Sequence, residues 1–124
     1  IPGPLGGLAA VLGWARDQGY SHVLTLPCDA PLLPPDLSSG LAAAVCSERR
    51  VVVAASGGRI HPTCALWTVT AADMIEQHVS SRRFSLIGLA ERVGMSVVEW
   101  PSTTPDAFSN ANTDVDLQRL QGFA

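Results

Sequence analysis

A short apolar run, residues 22–26, sets the main limit on the fold. The stretch reads His-Val-Leu-Thr-Leu, without alternation of polar and apolar side chains, which is typical of a parallel strand covered on both faces. It runs into Pro27, Cys28 and Asp29 and then into a loop that holds three prolines. We therefore predict a central, buried strand over residues 22–28, with the carboxylate of Asp29 at its carboxyl end.

Helical and strand patterns alternate along the rest of the chain. Apolar residues recur at helical spacing over about residues 5–18, and Pro4 suits the first turn of that helix. Two β-rich runs flank Gly57 and Gly58, a turn pair that favours an antiparallel hairpin. We predict further helices within residues 34–50, 70–81, 82–94 and 113–123, and a short strand over residues 95–100. The alternation predicts a three-layer α/β domain with a mostly parallel sheet and an antiparallel departure near its edge.

Length, charge and cysteine content exclude several classes of protein. The 124 residues suffice for one domain, residues 1–124, and a net charge of −3 with scattered basic residues argues against a nucleic-acid partner. No apolar run reaches the roughly 18–20 residues of a membrane span, and the chain opens without the basic segment of a signal peptide, so we expect a cytoplasmic location. Cys28, Cys46 and Cys64 lack CxxC spacing and lie in apolar sequence. We expect three small buried residues rather than a disulfide framework or a zinc site.

Asp29 is the strongest candidate for chemistry. Ligands of open α/β sheets settle beyond the carboxyl ends of the strands, and Mg²⁺ needs only one or two protein carboxylates there because it keeps waters and bridges to phosphates. Prolines in the following loop reduce its freedom and would help to aim the carboxylate. The alternative is an Asx turn before Pro31, a common role for aspartate in loops.

Four segments occur in an order that resembles a known family. They read GPLGGL at residues 3–8, LTLPCDAPLLPPDL at 24–37, HPTCALW at 61–67 and FSNANTDVDL at 108–117. Together they are similar to the molybdenum cofactor guanylyltransferases. The resemblance implies a Rossmann-like fold of the nucleotide-diphospho-sugar-transferase type. It also implies an enzyme that joins GMP from GTP to molybdopterin, with Mg²⁺ and release of pyrophosphate.

The resemblance also assigns roles to individual residues. Asp29 matches the catalytic, metal-binding and nucleotide-binding acid of the family. The other implied nucleotide contacts are Gly3, Pro4 and Leu5, and the implied substrate contacts are Pro62, Thr63, Asn110 and Asn112. Their alternative roles are helix packing for the glycine-rich entry and turn formation for the two asparagines, and we expect His61 to be structural. Transient contact with proteins that mature molybdoenzymes is a further implication.

One expected motif is missing from these 124 residues. The family begins with a strand and a glycine-rich loop whose backbone N–H groups and lysine hold the triphosphate, whereas this sequence has neither that loop nor any lysine. We therefore expect the C-terminal portion of a nucleotidyltransferase domain, with little activity alone. A cytidylyltransferase acting on the same cofactor, and a catalytically silent module that binds molybdopterin or a partner protein, remain as alternatives.

Overall fold

A four-stranded mixed sheet organises the fold. The structure is a computed structural model that describes residues 4–80, 85–103 and 106–108. Its strands are β1 (His22–Thr25), β2 (Val51–Ser56), β3 (Arg59–Thr68) and β4 (Met95–Trp100). Its helices are α1 (Pro4–Asp17), α2 (Leu37–Ala43), α3 (Ala72–Ser80) and α4 (Leu86–Val93), with a 3₁₀ turn at Val69–Ala71 before α3.

Strand direction confirms a mostly parallel sheet. The spatial order is β1-β3-β2-β4, and β3 runs antiparallel to both of its neighbours, while β2 and β4 are parallel. Hence β1, β2 and β4 share one direction and β3 opposes them. The predicted hairpin is β2–β3, and Gly57 and Gly58 form its two-residue turn with φ angles of 55° and 77°. Positive φ at both positions is the requirement of a type I′ turn, which only glycine, asparagine and aspartate meet readily.

Two cores confirm the three layers. Helices α1, α3 and α4 cover one face of the sheet, around Leu5, Leu8, Leu12, Val51, Val53, Ala65, Trp67, Ala71, Ile75, Leu89, Ala90 and Val93. The other face packs against α2 and the end of β4, around Leu37, Leu41, Val52, Ala54, Cys64, Trp100 and Phe108. Strand β2 supplies alternate residues to each core and all six of its residues are buried, as the pleat of a central strand dictates.

The prediction for β1 is wrong in the length, the burial and the position of the strand. The strand covers residues 22–25 only, is half-buried, and lies at an edge of the sheet, with β3 as its one strand partner among the described residues. Its faces are covered as predicted, because Val23 packs against the first core and Leu24 against the second. An apolar run therefore indicates that both faces of a strand are covered. It does not indicate how many strands lie beside it, because that number depends on pairing with distant parts of the chain.

Other predictions are also corrected. The helix expected within residues 34–50 is only Leu37–Ala43, and Cys28 and Cys46 are exposed while Cys64 alone of the three is buried. The C-terminal helix expected from Thr113 lies outside the described residues. None of the helices in the described ranges is long and apolar enough to span a membrane.

Two helical glycines should respond in opposite ways to substitution by alanine. A Cβ on Gly40 would lie 2.7 Å from Cζ2 of Trp100, and that indole is held because its N–H donates to Asp36 Oδ1 at 3.1 Å. We expect Gly40→Ala to lower the free energy of unfolding by about 1–2 kcal/mol, since overpacking outweighs the gain in helix propensity. A Cβ on Gly13 meets nothing within 4 Å, so Gly13→Ala should raise stability by up to about 1 kcal/mol. Urea denaturation of both variants measures the difference, and equal shifts would contradict the contact at Trp100.

Candidate functional site

A cleft opens where β3 extends past the end of β1. Thr25, the last residue of β1, pairs with Ala65, so residues 61–64 of β3 have no partner from β1. The cleft has a volume of about 230 Å³, and its lining consists of Pro27, Arg59, Ile60, His61, Pro62, Thr63, Cys64 and Phe108. Three of the four quoted segments, those containing Pro27, Pro62 and Phe108, therefore meet at the carboxyl ends of β1 and β2. This is the edge at which α/β sheets bind ligands.

A hydrogen-bonded network supports one wall of this cleft. Ser56, the last residue of β2 and only 3% exposed, donates its hydroxyl proton to Asp106 Oδ2 at 2.8 Å. Its Oγ also lies 2.8 Å from Nε2 of His61, and the backbone N–H of Phe108 donates to Asp106 Oδ1 at 2.8 Å. The rings of His61 and Phe108 stack, with centroids 4.4 Å apart and planes at 10°. The network joins the hairpin to residues 106–108, which follow β4 in the chain.

Burial sets the protonation of two groups at the cleft. It lowers the pKa of His61, with an added effect from Arg59, and this outweighs the opposing charges of Asp106 and Glu99. Burial also raises the pKa of the Cys64 thiol to about 11. At neutral pH the imidazole is therefore uncharged and the thiol is protonated, which makes Cys64 a poor nucleophile and a poor metal ligand.

Asp29 lies in a turn four residues beyond the end of β1 and is half-buried. No backbone N–H or side chain of the described residues donates a hydrogen bond to its carboxylate, so the bond that would mark an Asx turn is not formed within those ranges. No group of three or more His, Cys, Asp or Glu side chains gathers around a possible metal position in the described residues. Asp29 is thus a single carboxylate, which suits an ion held mainly by water and phosphate.

The other predicted site residues fall into three groups. Pro62 and Thr63 line the cleft. Pro4 begins α1, as predicted, and the Leu5 side chain is fully buried in the first core, so Leu5 could contact a nucleotide only through its backbone. Gly3, Asn110 and Asn112 lie outside the described residues.

Sequence reasoning misses three members of the network. The sequence pattern marks Ser56 only as part of a strand and Asp106 only as part of a polar loop, and Phe108 opens a quoted segment without an assigned role. Ser56 and Asp106 are 50 positions apart, so no local periodicity could link them. The only signal is a polar side chain, Ser56, that ends an apolar strand directly before the Gly57–Gly58 turn.

A second opening lies along the free edge of β1. It is an apolar groove of about 250 Å³ between α1, β1 and α4, and its lining includes Val11, Val23, Leu24, Leu26 and Leu86. Val11 and Leu26 are 46% and 52% exposed. None of the described residues that line this groove is charged.

Comparison with known proteins gives consistent matches over the chain. Residues 1–93 match the family model described as MobA-like NTP transferase domain. A protein of Cereibacter sphaeroides named molybdenum cofactor guanylyltransferase is 36% identical over 121 residues, which are 98% of this chain and 61% of that protein. One of the same name from Acidiphilium cryptum is 40% identical over 120 residues, 96% of this chain and 58% of its own length. The chain therefore spans about three fifths of these curated relatives.

Solved structures show the same fold at lower identity. A protein of Aquifex aeolicus superposes with a TM-score of 0.73 at 22% identity, over 90% of this chain and 57% of its own. The molybdopterin-guanine dinucleotide biosynthesis protein A of Archaeoglobus fulgidus gives a TM-score of 0.66 at 21% identity, over 98% of this chain and 62% of its own. These two matches confirm the expected fold class.

Proposed function

Because the chain belongs to the MobA-like NTP transferase domain family, we propose that it forms part of an enzyme that joins GMP from GTP to molybdopterin and releases pyrophosphate. The observation that carries the proposal is the meeting of Pro27, Pro62–Thr63 and Phe108 around one cleft at the carboxyl ends of β1 and β2. The names of the curated relatives support the choice of substrates.

The proposed transfer requires neither a general base nor a nucleophilic side chain. The attacking group would be the terminal phosphate monoester of molybdopterin, whose second pKa near 6 leaves it largely anionic at neutral pH without a general base. Catalysis then consists of aligning the two phosphates and neutralising their charge. This agrees with a cleft in which His61 is neutral and Cys64 protonated, and in which no nucleophile is required.

Asp29 is the residue that would hold Mg²⁺. A lone half-buried carboxylate with no hydrogen-bond donor from the described residues fits this ion, which takes its remaining ligands from water and substrate phosphates. When bound, the metal supplies charge stabilisation at the reacting phosphate. The prolines in the loop after Asp29 limit the directions in which the carboxylate can point, so the role of the loop would be to orient that carboxylate.

The remaining roles extend the same proposal. Gly3, Pro4 and Leu5 would contact the nucleotide at the start of α1, where backbone N–H groups favour an anion. Pro62 and Thr63 would contact molybdopterin from within the cleft, together with Asn110 and Asn112. A cytoplasmic location, and transient contact with proteins that mature molybdoenzymes, follow from the proposed reaction.

The proposal is tested by an assay of two proteins. One is residues 1–124, and the other is a chimera in which a strand and a glycine-rich, lysine-containing loop of the type expected for the family precede residues 1–124. Both are incubated with molybdopterin, Mg²⁺ and either GTP or CTP, and the dinucleotide and pyrophosphate are measured. We expect the chimera to transfer GMP and to use CTP poorly. Residues 1–124 alone should bind GTP weakly and show negligible transfer, because they lack lysine and the phosphate-holding loop.

Other outcomes of this assay identify the alternatives. Preference of the chimera for CTP would indicate a cytidylyltransferase. A chimera that binds molybdopterin but ignores both nucleotides would indicate a binding module. Tight GTP binding by residues 1–124 alone would show that the nucleotide site lies elsewhere than proposed.

A further inference from the structure

The network at Ser56 permits only one arrangement of its protons. Both carboxylate oxygens of Asp106 accept a hydrogen bond, Oδ1 from the backbone N–H of Phe108 and Oδ2 from the hydroxyl of Ser56. Ser56 has no second proton to give. Its 2.8 Å contact with His61 must then be a bond in which Nε2–H of the imidazole donates to Oγ of Ser56.

The surroundings of His61 agree with a neutral ring of that tautomer. Burial lowers the pKa of His61, Arg59 lowers it further, and the carboxylates Asp106 and Glu99 raise it. In the neutral ring one nitrogen carries the proton and the other is an acceptor. With the proton on Nε2, the lone pair is on Nδ1.

We propose that Ser56 and Asp106 are positioning residues that fix His61 as the Nε2–H tautomer and hold Phe108 against its ring, so that the two rings form one rigid wall of the cleft. His61 and Phe108 both line the cleft, and the hydrogen bonds of Ser56 and Asp106 join the two segments that carry them. The fixed wall follows from the contacts alone. That the wall serves molybdopterin rests on the proposed function.

The substitution Asp106→Asn distinguishes this role from simple structural support. Asparagine can keep its Oδ1 on the Phe108 N–H and then presents an amide N–H₂ group to Ser56. Ser56 would accept from that group, and its own proton would be released to donate to Nε2 of His61. Both side-chain contacts of Ser56 are then kept with donor and acceptor exchanged in each, so His61 should change to the Nδ1–H tautomer.

The tautomer is read by long-range ¹H–¹⁵N NMR of residues 1–124 labelled at histidine. The chain has three histidines, and His61→Gln identifies the signals of His61 by their loss. At pH 7.5 we expect a protonated Nε2 in the wild type, a protonated Nδ1 in Asp106→Asn, and a mixture in Ser56→Ala, where Nε2–H has no acceptor. Ser96→Ala is the matched control, a serine-to-alanine change in β4, and should keep the wild-type tautomer.

Two further readouts follow the position of the wall. Amide exchange of Phe108 should accelerate by about tenfold or more in Ser56→Ala, since Asp106 is then held at one end only. Binding of molybdopterin should weaken by about tenfold in Ser56→Ala, the effect of one lost hydrogen bond, while Ser96→Ala binds as the wild type does.

Several results would overturn the inference. A protonated Nδ1 in the wild type, or an unchanged tautomer in Asp106→Asn, would show that the network does not set the protons of His61. Unchanged Phe108 exchange in Ser56→Ala would refute the rigid wall. If the wild type and the chimera both fail to bind molybdopterin, the proposed function fails, and the tautomer and exchange measurements still decide the role of Ser56 and Asp106.

Discussion

Replacing Asp29 with asparagine in the active chimera should lower the rate of GMP transfer by about two to three orders of magnitude and leave the fold intact. The carboxylate is the proposed protein ligand of the metal, and stabilisation by metal accounts for several kcal/mol of the transition state, at about 1.4 kcal/mol for each factor of ten. The asparagine keeps the shape of the side chain and loses its charge. The Mg²⁺ concentration needed for half-maximal rate should also rise.

Asparagine is chosen because it separates the two roles considered for this position. An Asx turn needs only a side-chain oxygen, which asparagine retains, so a residue that merely shapes the loop would tolerate the change. Asp17→Asn is the control, because it removes the same charge from an exposed residue at the end of α1 and should leave transfer unchanged. Near-normal transfer by Asp29→Asn would return Asp29 to a turn-forming role.

The features that the sequence predicts well are those with a local physical cause. The Gly57–Gly58 pair predicts the β2–β3 hairpin because a two-residue turn of this type requires positive φ at both positions. The apolar run at residues 22–26 predicts that both faces of β1 are covered, and Val23 and Leu24 do contact opposite cores. Pattern and turn chemistry act within a few residues, so they can be read before the fold is known.

The features that the sequence misses depend on contacts between distant residues. Whether β1 is central or at an edge depends on how many strands pair with it. Its partner β3 is 40 or more positions away in the sequence, and the apolar pattern of β1 is the same in either case. The Ser56–His61–Asp106 network is a second example, since a serine at a strand end and an aspartate in a loop are ordinary alone. His78 is a third: it is fully buried next to α4, with neither ring nitrogen hydrogen-bonded by the described residues, although its sequence resembles an amphipathic surface helix.

The largest effect on stability is expected from Trp67→Ala. Trp67 is fully buried in β3, pairs with Val23 on one side and Val51 on the other, and its indole N–H donates to Thr25 Oγ1 at 3.2 Å. Truncation leaves a cavity in the first core and removes a bond that ties edge strand β1 to the sheet. We expect the free energy of unfolding to fall by about 3–5 kcal/mol, a large part of the roughly 5–15 kcal/mol typical of a whole domain.

Two variants show whether burial is the cause of that loss. Trp67→Phe keeps an aromatic ring in the core and loses the hydrogen bond to Thr25, so it should cost about 1–2 kcal/mol. Trp14→Ala makes the same truncation on the outer side of α1, where Trp14 is 58% exposed and touches Tyr20 by ring stacking, and should change stability by less than about 1 kcal/mol. Urea denaturation followed by far-UV circular dichroism compares all three without relying on tryptophan emission. If Trp67→Ala were no more destabilising than Trp14→Ala, the sheet would not be packed around Trp67, and the alignment of β1 that brings Pro27 to the cleft would need another explanation.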